Sequence, residues 1–140
     1  MKMLLISNET LADALLQSMK GFFSEPDIQT FTFQAPDWQS TRYSIAAFLA
    51  EAVLKNPQEE FLILCDHFGS TAYVETAILI EKMALQPQSL LLCGMNLPMV
   101  FKLYGIKDTT SLAYCRSLYD DDTRYTHLLE TFPEPLKKAI

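Results

Sequence analysis

Apolar positions along the chain alternate between short continuous runs and helical spacing. MLLI (3–6) is an unbroken apolar run and predicts a first strand. After the polar break SNET (7–10), Leu11, Leu15, Ser18-Met19 and Phe22-Phe23 recur at the spacing of a helix. Asn8 is expected to cap that helix, with Glu9 in its first turn beside the positive helix end. SEPD (24–27) reads as a turn, because Pro26 pushes Glu25 out of the helical region. IQTFTF (28–33) alternates and is rich in strand formers, so it predicts strand two. Asp37 is expected to cap a second helix over about 38–55, with Ile45, Phe48, Leu49, Ala52 and Val53 turned inward and NPQ (56–58) ending it. FLILC (61–65) is continuously apolar, as a strand covered on both faces should be. DHFGST (66–71) leads into a helix over about 71–84 that carries Val74, Ala77, Ile78 and Met83. LLLC (90–93) predicts strand four, and GMNLPM (94–99) opens a helix ending near Gly105. The remainder is less periodic; it predicts a short strand around Ala113–Cys115 and a helical stretch near Tyr125–Thr131.

This alternation implies an α/β fold: a mostly parallel, doubly wound sheet with helices on both faces and right-handed crossovers. Strands one and three are the most apolar and belong in the centre, giving the order 2-1-3-4 with a possible C-terminal edge strand. The order reverses between strands one and three, and ligands in such sheets bind beyond the strand carboxyl ends at that switch point. SNET and DHFGST should meet there. Glu9 and Phe68 should line the crevice, with Asn96, Pro98 and Met99 bordering it from the loop after strand four.

The length of 140 residues suits one domain with a core of its own. No run is long and apolar enough to predict direct membrane insertion, and the first residues lack the apolar stretch of a signal peptide, so the expected location is cytoplasmic. Cys65, Cys93 and Cys115 form an odd count without C-x-x-C spacing and are expected to be reduced core thiols rather than metal ligands. The net charge of −6 and scattered basic residues argue against nucleic acid. Asp120-Asp121-Asp122 lacks the alternating ligands of a calcium loop and is expected to be a solvated turn. No metal or cofactor is expected.

The chemistry concentrates in DHFGST. Asp66 should stand at the crevice mouth, and Gly69 permits an unusual backbone angle. Ser70 and Thr71 lie at a helix N-terminus, where free N–H groups favour an anion such as a phosphoryl group, although one of them capping the helix would account for them equally well. His67 is a side chain able to carry a phosphoryl group, and it is also the kind of residue that ends a strand with a structural hydrogen bond. His127 has no partner motif. Neither G-x-x-x-x-G-K-[ST] nor G-x-G-x-x-G occurs, and a G-x-S-x-G elbow is missing. Asp66 follows strand three as a receiver-domain acceptor would. A receiver also needs an acidic pair after strand one, where only Glu9 stands.

At these segments the chain resembles enzyme IIA of the mannose family of the bacterial sugar phosphotransferase system. That family has a T/S-H-G loop after its first strand, matched by Ser7-Asn8-Glu9 before the helix Leu11-Ala12-Asp13-Ala14-Leu15-Leu16. Its D-x-x-G-G-S-P signature is matched by Asp66-His67-Phe68-Gly69-Ser70-Thr71-Ala72, and its G-x-N-x-P-M by Gly94-Met95-Asn96-Leu97-Pro98-Met99. The resemblance covers residues 1–105 and is loose beyond. It implies a single IIA-like domain over 1–140, a homodimer and a phosphoryl relay. A phosphocarrier protein would phosphorylate the acceptor His, which passes the group to a IIB subunit during sugar uptake. It also implies that Asp66 supports the acceptor and that Thr71 helps hold the phosphoryl group; Gly69 and Ser70 are the other expected phosphate-binding residues of that loop. The acceptor His aligns with Asn8, and an amide nitrogen cannot carry a labile phosphoryl group. Three expectations follow: a IIA-like component that docks or regulates; a carrier using His67 in place of Asn8; or a small-anion or metabolite-binding module on the same scaffold.

Overall fold

The computed structural model describes residues 1–120. The elements run β1 (Lys2–Asn8), α1 (Leu11–Met19), β2 (Ile28–Phe33), α2 (Trp38–Lys55), β3 (Phe61–Cys65), α3 (Thr71–Lys82), a 3₁₀ turn (Gln86–Gln88), β4 (Ser89–Cys93), α4 (Leu97–Ile106) and α5 (Leu112–Asp120). All three strand pairings are parallel, and the order is β2-β1-β3-β4, as the apolarity of the strands predicts.

Strand parity explains how the core divides. Side chains alternate across a strand, so Met3 and Leu5 of β1 join Leu62 and Leu64 of β3 on one face. There they pack against Leu15 and Met19 of α1, Val100 and Leu103 of α4, and Cys115 of α5. Leu4 and Ile6 go to the other face with Phe61 and Ile63. They meet Ile45 and Leu49 of α2 and Leu79 and Ile80 of α3. Each such fully buried side chain contributes about 1.5–3 kcal/mol, and all five residues of β3 are buried.

Three local expectations are corrected. The stretch around Ala113–Cys115 is not a strand but part of α5, because Leu112 and Cys115, three residues apart, both turn toward the α1/α4 side. The run was too short for a period of two to be told from one of 3.6. The first helix stops at Met19 instead of reaching Phe22-Phe23. In α3 the buried face is Ala72, Thr76, Leu79 and Ile80, while Val74 is exposed. The helical expectation near Tyr125–Thr131, and Asp121-Asp122 of the acidic run, lie outside the described residues.

Candidate functional site

The carboxyl ends of β1 and β3 carry two consecutive polar residues each, and parity again decides what they do. Ser7 is the odd-numbered one and faces α1. Its Oγ accepts the N–H of Ala12 at 2.8 Å and donates to the Glu9 carbonyl at 3.2 Å. Asn8, one residue on, faces the opposite side. Its Oδ1 accepts the N–H of Ala72 in the first turn of α3 at 3.0 Å. Asn8 is therefore a helix cap, but of α3 rather than α1. The formal N-cap of α1 is Thr10, whose side chain makes no capping bond. The residue next to a strand's last turn can reach only the helix on its own face of the sheet.

Asp66 gathers the site. Its side chain is 8 % exposed. Oδ2 accepts the backbone N–H of Asn8 at 2.8 Å, and Oδ1 accepts the His67 N–H at 2.8 Å and the Ser70 hydroxyl at 2.6 Å. Ser70 caps α3 in turn, its Oγ accepting the Tyr73 N–H at 3.1 Å. This carboxylate ties the β1 loop to the β3 loop and holds three donors. The backbone allows it because Gly69 sits at φ 81° and Gly94, whose N–H donates to the Asp66 carbonyl at 2.9 Å, at φ 80°. Glu9, where the resembled family has Gly, also adopts a left-handed φ, 54°.

The other expected residues spread outward. The His67 side chain is 71 % exposed, with Nδ1 3.8 Å from Asp66 Oδ2. Phe68 is exposed and its ring lies 5.0 Å from that of Tyr73. Asn96 caps α4, its Oδ1 accepting from the Met99 N–H at 3.0 Å and its Nδ2 donating to the Gly94 carbonyl at 3.2 Å. Met99 is buried in the core. Pro98 lines an apolar hollow with Phe22, Leu97 and Phe101. Thus Asn8, Asp66, Ser70 and, through Gly94, Asn96 come together, with Thr71 beside Asn8 along a pocket wall, whereas Pro98 and Met99 belong to other surroundings.

Cys65 and Cys93 lie side by side at the ends of β3 and β4. Burial, with the nearby Asp66 charge adding to it, pushes both thiols above their ordinary range. Neither supplies a thiolate nucleophile at neutral pH.

Sequence reasoning missed the polar furrow beside this network. A pocket of about 270 Å³ is lined by Asn8, Glu9, Phe33, Gln34, Trp38 and Thr71. A second, of about 330 Å³, shares Trp38 and continues along Asp37, Gln39, Arg42 and Glu75. The available signal was Trp38, a tryptophan at the mouth of a predicted helix, directly after its capping aspartate.

A family model described as EIIA-man, PTS system fructose IIA component, matches residues 2–117. Among solved structures, the chain is similar to the phosphotransferase system component EIIA from Streptococcus agalactiae. That match has 17 % identity and a TM-score of 0.66, over 83 % of this chain and 86 % of that one. The PTS IIA protein associated with the fucose utilization operon of Streptococcus pneumoniae gives 14 % identity and a TM-score of 0.66, over 96 % and 93 %. The mannose/sorbose specific IIA subunit from Enterococcus faecalis gives 20 % identity and a TM-score of 0.58, over 95 % and 94 %. At these identities the structures speak for the fold. No curated protein sequence matches significantly.

Proposed function

We propose, from the premise that the chain belongs to the EIIA-man family of PTS system IIA components, that it serves a sugar phosphotransferase system by docking or regulation, without carrying phosphate at Asn8. The observation that carries this reading is the Asn8–Ala72 hydrogen bond. A carboxamide has no nucleophilic nitrogen. Its oxygen also fills a first-turn N–H of α3, the kind of donor that would otherwise hold a phosphoryl oxygen. The partners in this reading are a IIB subunit and the phosphocarrier protein. The chain acts as a homodimer in the cytoplasm, where those partners work. Among the described residues no helix is long and apolar enough to cross a membrane.

Relay through His67 is the weaker reading. Its ring is open to solvent, and the Asp66 carboxylate that would orient it already serves three donors. Incubation with labelled phosphoenolpyruvate and the general phosphotransferase proteins separates the two. No acid-labile label is expected on the wild type, and Asn8→His is expected to acquire it. Label on the wild type that disappears in His67→Ala would overturn the docking reading in favour of relay. Co-purification with IIB is the second arm; failure to bind it, together with absent label, would leave small-molecule binding as the function of the scaffold.

A further inference from the structure

The furrow over Trp38 has chemistry that the phosphoryl relay does not use. Trp38 lies between the two pockets, lines both, and is 45 % exposed. Each pocket is close to the lower bound of small-ligand sites, about 300 Å³. Three neutral polar groups on the first pocket's wall, the Asn8 Nδ2, the Gln34 amide and the Thr71 hydroxyl, make no hydrogen bond among the described residues. These are groups that pair with hydroxyls, which donate and accept at once.

Charge narrows the ligand. Among the described residues the furrow carries the carboxylates of Glu9, Asp37 and Glu75 against a single cation, Arg42. That guanidinium is already paired with Glu75 at 3.2 Å. An anion entering here would meet net negative walls and, among the described residues, no unpaired cation, so phosphate and nucleotides are disfavoured. An aromatic face flanked by carboxamides, a hydroxyl and carboxylates instead suits a ring with an apolar C–H face and a polar rim.

We propose that this furrow binds a neutral monosaccharide, its ring stacked on Trp38 and its hydroxyls hydrogen-bonded by Asn8, Gln34 and Thr71. The chain would then sense a free sugar while docked in a transport system. The sugar site shares Asn8 and Thr71 with the place where a relay would stand, but asks only hydrogen bonds of them and no phosphoryl transfer. An unexpected phosphoryl label would leave it standing, and its own failure would leave the reading of Asn8 standing.

Trp38 is the only tryptophan in the chain, so its fluorescence reports this furrow alone. The whole protein is titrated with glucose, mannose, fructose and N-acetylglucosamine into the millimolar range, with glucose 6-phosphate and adenosine as competitors of different chemistry. A saturable blue shift with protection from acrylamide quenching is expected for at least one free sugar. Gln34→Ala should weaken binding by about tenfold, the loss typical of one hydrogen-bonding side chain. Trp38→Ala, read by calorimetry with circular dichroism as the folding control, should abolish it. The proposal is overturned by no saturable response to any of the free sugars, by tighter binding of the sugar phosphate or adenosine, or by undiminished binding heat in folded Trp38→Ala.

Discussion

Around Asp66, donors find acceptors: the Asn8 and His67 N–H groups and the Ser70 hydroxyl share the two carboxylate oxygens, and Asn8 Oδ1 and Ser70 Oγ in turn accept from the N–H groups of Ala72 and Tyr73. Over Trp38, on the adjoining stretch of the same rim, the side chains of Gln34 and Thr71 make no hydrogen bond among the described residues. The saturated network binds two loops and a helix end to each other. The open furrow leaves its polar groups to water or to a ligand. In a buried network each bond lost exposes an orphan, whereas an exposed group gives up only a water contact. Stability and recognition are therefore expected to separate along this rim, and substitutions on the two sides should differ in kind.

The largest difference should come from Asp66→Ala. It removes the acceptor of three donors at a nearly buried position. We expect a loss of about 3 kcal/mol, since bonds to a charged group are worth about 1.5–3 kcal/mol each but are not additive. Urea denaturation followed by circular dichroism measures it. A midpoint unchanged from the wild type would mean that water replaces the carboxylate, and the contrast between the two regions would collapse. Ser70→Ala should follow, costing about 1–2 kcal/mol through the lost cap of α3 and the lost bond to Asp66. If both losses are real, the double variant should fall short of their sum, because the residues share one network.

How much of this was legible in the sequence depends on whether the contact is local. The four strands and their order followed from the apolar runs, because β1 and β3 must be covered on both faces and only central positions allow that. The meeting of Asn8 with the 66–72 segment followed from that order. The helix that Asn8 caps did not. Sequence neighbours suggest α1, but a side chain's face is set by strand parity, and the partner N–H at Ala72 is 64 residues away. The helix α5 is not legible because Ala113-Tyr114-Cys115 is too short to show a period, and its apolar side, Leu112 and Cys115 with Leu118 and Tyr119, is defined only by packing against the core. The furrow was invisible for a related reason. Gln34 and Trp38 fall in no motif, and a concave surface emerges only once β2, α2 and α3 are set against one another.

Glu9→Gly tests the backbone side of the comparison and should stabilise. Glu9 holds φ at 54° while its N–H donates to the Phe33 carbonyl at 3.1 Å. A non-glycine residue in the left-handed region carries a cost of about 1–2 kcal/mol. Glycine removes that cost and adds some unfolded-state entropy. The expected net gain is about 1 kcal/mol, read as a rise in the urea midpoint with an unchanged slope. A loss instead would mean that the Glu9 side chain contributes more on the crevice rim than its conformation costs.

Gln34→Ala is the smallest expected effect and the sharpest check on the furrow. Its amide has no protein partner among the described residues and sits beside Trp38 and Asn8 on the pocket wall. Surface substitutions of that kind stay within about 0.5 kcal/mol, so the denaturation midpoint should not move measurably. The same variant is expected to weaken ligand binding while leaving the fold alone, the reverse of Ser70→Ala. If Gln34→Ala instead destabilises as much as Ser70→Ala, the amide is satisfied within the protein after all. The furrow would then be an extension of the saturated network rather than its counterpart.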